Sequence, residues 1–484
     1  MPPRSMCPCL RLFRGAAGVA LLCLAAIQTP EIRGAAASAQ VSQQTGSANS
    51  PTPMSSADLA NQLSGVKDNS LVIANKVISG PLILNAEQRP ITPVNFKVEF
   101  RDCEFIDDVM VRKLDFGQSV TLLRVKFDKG LSIDHVHIKG DFQLDNVQAG
   151  KVIKFNQSQV DGDVRIKEPV TSGLQIENLT ANNLIVSLGK NPFATIDFIH
   201  LAAGRLSLSS SSDAVAKINR LDLGSANLKE TLALQNLDLQ QVVAQSLSVA
   251  KRTLFLPVTT IRKELDLSSA DLGGFEWRFA GPVQFPEKLD IAGATFGGLS
   301  IVHIPSRADR NDYGLAFLDR AEYYEPAYLS YESSVKTRGQ SDKADAVYFA
   351  MRDRRRYTEF RDASTFWQKT LAGFNYVIGF GHKWLFGYGR GWVYPLIWSV
   401  LFVLAGAFIF RIEHMEKVDE QSPHAFSPIW YSLDIFVPIL SLGIAKDWHP
   451  RQEHRLLQFY SKFLSLIGLI FISAMLGALT GTLK

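Results

Sequence analysis

Few side chains in this sequence have both the type and the spacing that chemistry requires. His135 and His137 lie two apart, which on a strand would put both imidazoles on one face, but no third ligand accompanies them. His449, Glu453 and His454 form the other local group, and Pro450 breaks any helix that would align them. Asp107 and Asp108 are adjacent carboxylates, and Arg165-Ile166-Lys167 puts two cations on one strand face. The sequence contains no GxSxG, P-loop, HExxH or CxxC motif, so nucleophilic, nucleotide and redox chemistry have no local carrier. The expectation is a protein that is not an enzyme, with no cofactor, no metal and no evident small-molecule substrate.

Two charge patterns stand apart. Arg352, Arg354, Arg355 and Arg356 form a basic run that reads as a solvated helix face able to touch lipid phosphates. Asp434 is the one acid in the apolar stretch Ser427–Ala445, where a carboxylate must face water, find a partner or take up a proton. With Tyr431, Ser441 and Gly443 it makes the candidate membrane-functional set. Either these residues line an ion path, or the stretch lies on the cytoplasmic membrane surface with Asp434 and Ser441 turned to water. Pro428 and Pro438 favour the second expectation.

The elements that carry these residues follow from composition and pattern. The chain has 484 residues, a net charge of 51 − 47 = +4, 20% charged residues and a mean hydropathy of +0.04. That excludes a disordered chain and gives no nucleic-acid footprint. Residues 1–39 read as a secretory signal: Arg4, Arg11 and Arg14 precede the apolar run Gly15–Ile27, and Ala37-Ser38-Ala39 offers a cleavage site before Gln40. Cys103 is then the sole cysteine outside that segment, and its alternating neighbours predict burial. Residues 40–57 read as a flexible linker, 58–305 as repeated short strands, 306–390 as a helical junction and 391–484 as a membrane hairpin. Within the junction one helix is expected over 314–338, disturbed at Pro326, and a second capped by Ser341 or Asp342.

The hairpin reading rests on two uncharged runs, Gly391–Phe410 of 20 residues and Phe463–Leu483 of 21, each long enough to span. Between them 427–445 reads as an apolar half-helix with a stripe of Ile429, Trp430, Leu433, Phe436, Val437 and Leu440, broken by Pro438. The intervening segment carries six Lys/Arg against three on the opposite flanks, which places it in the cytoplasm and residues 40–390 in the periplasm of an inner-membrane protein.

Internal repetition defines the body. Leu265-Asp266-Leu267 through Trp277 aligns without gaps on Leu289-Asp290-Ile291 through Ile301, and an earlier copy opens at Leu221. The offsets fit about 22 to 24 residues per coil and roughly 10 or 11 coils, a β-solenoid in which stacking completes the core. Gly130, Gly140 and Gly150 are expected to supply positive φ at corners.

Ala226-Asn227-Leu228-Lys229-Glu230 and Ala270-Asp271-Leu272-Gly273-Gly274 resemble the repeat unit of pentapeptide-repeat proteins. The order span, half-helix, span resembles the two-span hairpin of potassium-channel-like proteins. Leu440-Ser441-Leu442-Gly443-Ile444 stands where a selectivity filter would be, and Gly387-Tyr388-Gly389, filter-like in composition, precedes the first run. Taken together the chain resembles bacterial pentapeptide-repeat membrane proteins with a degenerate channel-like C-terminus. That resemblance implies a right-handed β-helix, a helical junction and a transmembrane hairpin. Asp107-Asp108 and Arg165-Ile166-Lys167 resemble parts of pectin-cleaving hydrolase motifs, whose Asn-Thr-Asp and Gly-His-Gly runs are missing here. The functional expectation is a membrane-anchored extracytoplasmic solenoid that binds or scaffolds, partnered by the membrane and by another protein or a second copy of itself. The alternative is a pore-forming oligomer.

Overall fold

The computed structural model describes residues 51–66, 69–85, 94–211, 214–304, 313–390, 393–418, 425–438 and 442–480. The expected signal segment and Ser441 lie outside them. From Ser50 onward the chain forms one compact unit.

Residues 52–303 wind into a β-solenoid of about eleven turns in which adjacent coils pair in parallel. One inward column runs Val109, Leu131, Ile153, Leu174, Ile196, Leu221, Val242, Leu265 and Leu289, each in register with the next. The three repeat openings read from the sequence therefore stack in one column, with Val242 as the copy whose local pattern is too degraded to recognise. Leu228, Val249, Leu272 and Phe296 make a second buried column. Early coils have four short sides, as in 97–101, 104–105, 109–112 and 115–116. By 159–167 and 180–188 two sides have merged into nine-residue strands.

The corners differ from the sequence expectation. Asp102, Lys113, Arg124, His135, Asn146 and Gln157, spaced eleven apart, all have φ near +50°, whereas Gly130, Gly140 and Gly150 do not. A left-handed non-glycine residue costs of order 1 kcal/mol, offset here because its N–H bonds the next coil, as His135 N does to Asn156 O at 3.0 Å. Gly140 and Gly150 serve close stacking instead: a Cβ on Gly150 would sit 2.2 Å from Asp128 O, and one on Gly140 2.6 Å from Ser119 N.

Both ends of the solenoid are covered, which removes open strand edges. Helix α1, Ser56–Gly65, is capped by the Ser55 hydroxyl and buries Leu59 and Leu63. Residues 52–55, expected in the linker, pair as a strand with 76–79. At the other end α2, Tyr313–Arg320, and α3, Glu325–Thr337, replace the single expected helix, with Pro326 in the first turn of α3. Phe317 stacks on Phe275. Ser330 donates to Phe296 O, the Ser334 hydroxyl accepts from Leu299 N at 3.1 Å, and Arg338 donates to Leu299 O at 2.7 Å. Helix α4 is Ser341–Asp362; its N-cap is Gln340, one residue before the expected Ser341, and Gly339 at φ +76° ends the preceding turn.

Helix α5, Phe366–Phe386, was not foreseen as a separate element. Helix α6, Val393–Ile409, is shorter than the uncharged run that contains it. Helices α7, Pro428–Phe436, and α8, Ile444–Asp447, precede α9, Arg455–Thr480. Of these, α9 is long and apolar enough by length and composition to cross a membrane, over Arg455–Gly477. The α5–α6 pair passes that test only jointly and is bent by 113°.

Candidate functional site

The bend between α5 and α6 is a polar elbow. Gly387, Tyr388 and Gly389 have φ of 51°, 52° and 81°, three left-handed residues in succession. Tyr388 is held there by its hydroxyl, which donates to Asp353 Oδ1 at 2.7 Å and accepts from Arg356. Lys383 also pairs with Asp353. Burial works against charge on Asp353, yet Lys383, Tyr388 and Arg356 together hold its carboxyl below the usual range. Burial, with the bond to Asp353, pushes the Tyr388 phenol up. Arg390 reaches Glu332 of α3 at 2.7 Å and Asp345 of α4 at 3.3 Å, and its guanidinium lies 3.7 Å from the ring centre of Tyr348. The filter-like composition at 387–389 thus serves to fasten the start of α6 to the helices that close the solenoid.

The basic run on α4 separates into four roles. Arg354 is a structural residue, donating to Leu318 O, Ala321 O, Asp319 and the Tyr328 hydroxyl. Arg355 pairs with Glu359 and Glu325. Arg356 belongs to the elbow. Arg352 stacks at 5.6 Å over Tyr348 and has no carboxylate partner among the described residues. The expectation that all four meet lipid is therefore corrected for Arg354, whose donors are taken up inside the protein. Between α4 and α5 lies an open groove of about 410 Å³, lined by Arg352, Arg355, Arg356, Asn375, Gly379 and His382 among others. Gly379 lets Arg356 pack against α5: a Cβ there would meet the Arg356 side chain at 2.5 Å. Desolvation against the groove wall, then the charges of Arg352 and Arg356, lower the His382 imidazole.

Tyr431, Asp434 and Gly443 come together in the hairpin. Helix α7 packs between α6 and α9, with Gly406 against Ser432 and Gly468 against Phe436. A Cβ on Gly468 would fall 1.8 Å from Phe436 O, so the small residue allows the contact. Tyr431 is buried beneath Phe410 at 4.9 Å between ring centres. Asp434 is 7% exposed, and its two carboxylate oxygens accept from Leu442 N at 2.7 Å and Ala445 N at 2.8 Å. The expected surface helix with Asp434 facing water is thus corrected: α7 doubles back between the two longer helices, and Asp434 ties down the chain that returns from it. Gly443 supplies the turn at φ +84°. Ile429 and Trp430, placed in the predicted stripe, are about half exposed, at 52% and 53%. The returning chain ends in a two-stranded ribbon, Met415–Lys417 with Trp448–Pro450.

The remaining candidates do not converge. His135 sits on a corner bonded to Asp134, and His137 is bonded to Asp161 at 3.1 Å. His454 packs on His414 with ring centres 4.5 Å apart, and His449 lies on the ribbon. No group of three or more His, Cys, Asp or Glu able to hold a metal occurs among the described residues. Asp107 pairs with Lys129 of the next coil, and Arg165 with Asp141 and Asp163. Sequence reasoning missed one acidic pair, Asp197 and Asp222, which are neighbours in register. Burial raises the Asp197 carboxyl and Asp222 adds to it, but Asp222 is bonded to Arg220 at 2.7 Å and to Gly224 N at 2.9 Å. Register alone could have found that pair, and the degraded repeat hid the register.

Comparison with known protein families, with curated proteins and with solved structures returns no match.

Proposed function

We propose that the chain is a non-catalytic, membrane-anchored solenoid that holds its rod outside the cytoplasm as a binding or scaffolding module. The observation that supports this most directly is where exposed apolar side chains fall. On the solenoid they are scattered singly, as at Val72, Ile106 and Val170. On α5, α6 and α9 they are contiguous, with Trp367, Phe374, Val400, Phe408, Leu466 and Leu469 all about half exposed or more. Continuous apolar surface of that extent on three helices calls for lipid or an equivalent cover. At 17 residues α6 would reach about 25 Å, close to a hydrocarbon core of about 30 Å. The pore reading has less support, because the Asp434 carboxylate is occupied by backbone amides instead of facing an axis.

The test has two parts. The full chain should resist extraction from membranes at alkaline pH; release into the wash would end the anchoring reading. A cysteine placed at exposed Lys190 should react with an impermeant maleimide before the inner membrane is broken. Reaction only after breakage would reverse the orientation.

A further inference from the structure

We propose that the groove between α4 and α5 binds the phosphate of an anionic phospholipid, with α5 lying along the bilayer surface beside the first span. This rests on the anchoring reading above and adds a ligand to it.

The groove has a positive balance. Three guanidinium groups line it, Arg352, Arg355 and Arg356; Arg355 is engaged by Glu359 and Glu325 and Arg356 by Asp353, so the charge of Arg352 is the one left over. Arg352 is the member with no carboxylate partner among the described residues, and a guanidinium fork fits two phosphate oxygens. Asn375 and His382 add neutral donors on the opposite wall, where Gly379 lets the Arg356 side chain come close. A multi-donor, cation-rich recess of this kind suits an anion with several oxygens.

The adjoining face of α5 states which anion. Trp367, Leu371, Phe374 and Ile378 follow one another at intervals of four, three and four, the spacing of one helix face. All are more than half exposed, and no residue of α5 is buried. Ile378 belongs to both surfaces, since it also lines the groove. An acyl chain can therefore run from the groove edge along Ile378 toward Phe374 while its phosphate meets Arg352. The 113° bend lets α5 lie flat where α6 enters the bilayer, and Trp367 and Trp384 suit the headgroup layer. A free phosphate would use the arginines and leave the apolar edge unexplained, so the lipid is the ligand favoured.

Native mass spectrometry of the detergent-extracted full chain tests this, with phosphatidylglycerol as probe and phosphatidylcholine as the neutral control. The expected result is retention of phosphatidylglycerol over phosphatidylcholine, weakened at least about tenfold by Arg352→Gln and likewise by Asn375→Asp, which places an anion in the groove. Inorganic phosphate at equal concentration should not displace the lipid. Wild-type retention by both variants overturns the site, and displacement by inorganic phosphate overturns the choice of lipid. Alkaline extraction separates the two readings: a chain that stays in the membrane but shows no lipid preference loses only the groove proposal, whereas a released chain loses both.

Discussion

At the scale of single residues, function and structure part most clearly at Asp434. An acid in an apolar stretch invites a role in conduction, yet its two oxygens close a loop by accepting from Leu442 N and Ala445 N. Asparagine has one acceptor oxygen where aspartate has two, so Asp434→Asn must leave one buried amide without its partner. The expected loss is about 1–3 kcal/mol, read as a lower melting temperature of the detergent-solubilised protein, and no potassium-selective current should appear or vanish in planar bilayers. An unchanged melting temperature would show that the loop is held by other contacts. Cys103 makes the opposite case, a reactive type made inert. It is 2% exposed, and burial pushes its thiol up, so it should resist maleimide in the folded chain and react once denatured. The burial of Cys103 was legible from alternation alone. The partners of Asp434 were not, because they lie eight and eleven residues on, beyond a left-handed turn at Gly443 that pattern does not reveal.

At the scale of elements, the solenoid was legible where inward Leu, Ile and Phe recur at coil length, as at Leu265 and Leu289. It was illegible at its corners, where Lys113, Arg124 and Gln157 adopt positive φ against their own preference because neighbouring coils satisfy their backbone. Leu272 is fully buried between Val249 and Phe296, and an inward leucine carries about 2–3 kcal/mol of burial. Leu272→Asp adds an uncompensated carboxylate and should open the adjoining coils to protease; wild-type resistance would contradict the inward register. In the hairpin the close approach of Gly468 to Phe436 O makes Gly468→Leu the sharper probe. It should expel α7 from between α6 and α9 and raise protease cutting near residues 437–443, while the solenoid keeps its fold. Helix α5 escaped detection because Lys369, His382 and Lys383 interrupt its apolar run, although its apolar face is continuous in three dimensions.

At the scale of the molecule, the elbow decides whether rod and hairpin move as one. Asp353, Tyr388, Lys383 and Arg390 tie the entry of α6 to α3 and α4, which themselves seal the last coil. The folded Asp353 carboxyl titrates below its ordinary value of 3.8, so its contribution is complete above about pH 4 and is lost as the pH falls through the lower folded value. Limited proteolysis at the elbow should therefore rise only in acid, and Asp353→Asn should show the acid-type cleavage already at neutral pH. A variant as resistant as wild type at neutral pH would mean that Arg390 alone secures the joint. The coupling was hidden in the sequence because Glu332, Asp345, Asp353 and Arg390 are spread over α3, α4 and the elbow, and only the packing of those three brings them together.

The unbroken inward column has a consequence for length. Helix α1 packs on the first coils and α2–α3 on the last, and from Val109 to Ile153 successive coils stack at a constant spacing of 22 residues. Duplicating residues 131–152 would insert one more layer, moving the two ends apart by about 4.8 Å without changing either seal. In that uniform stretch the rod is a ruler: the distance between its two sealed ends can be lengthened or shortened in whole coils while the helices at its base stay the same.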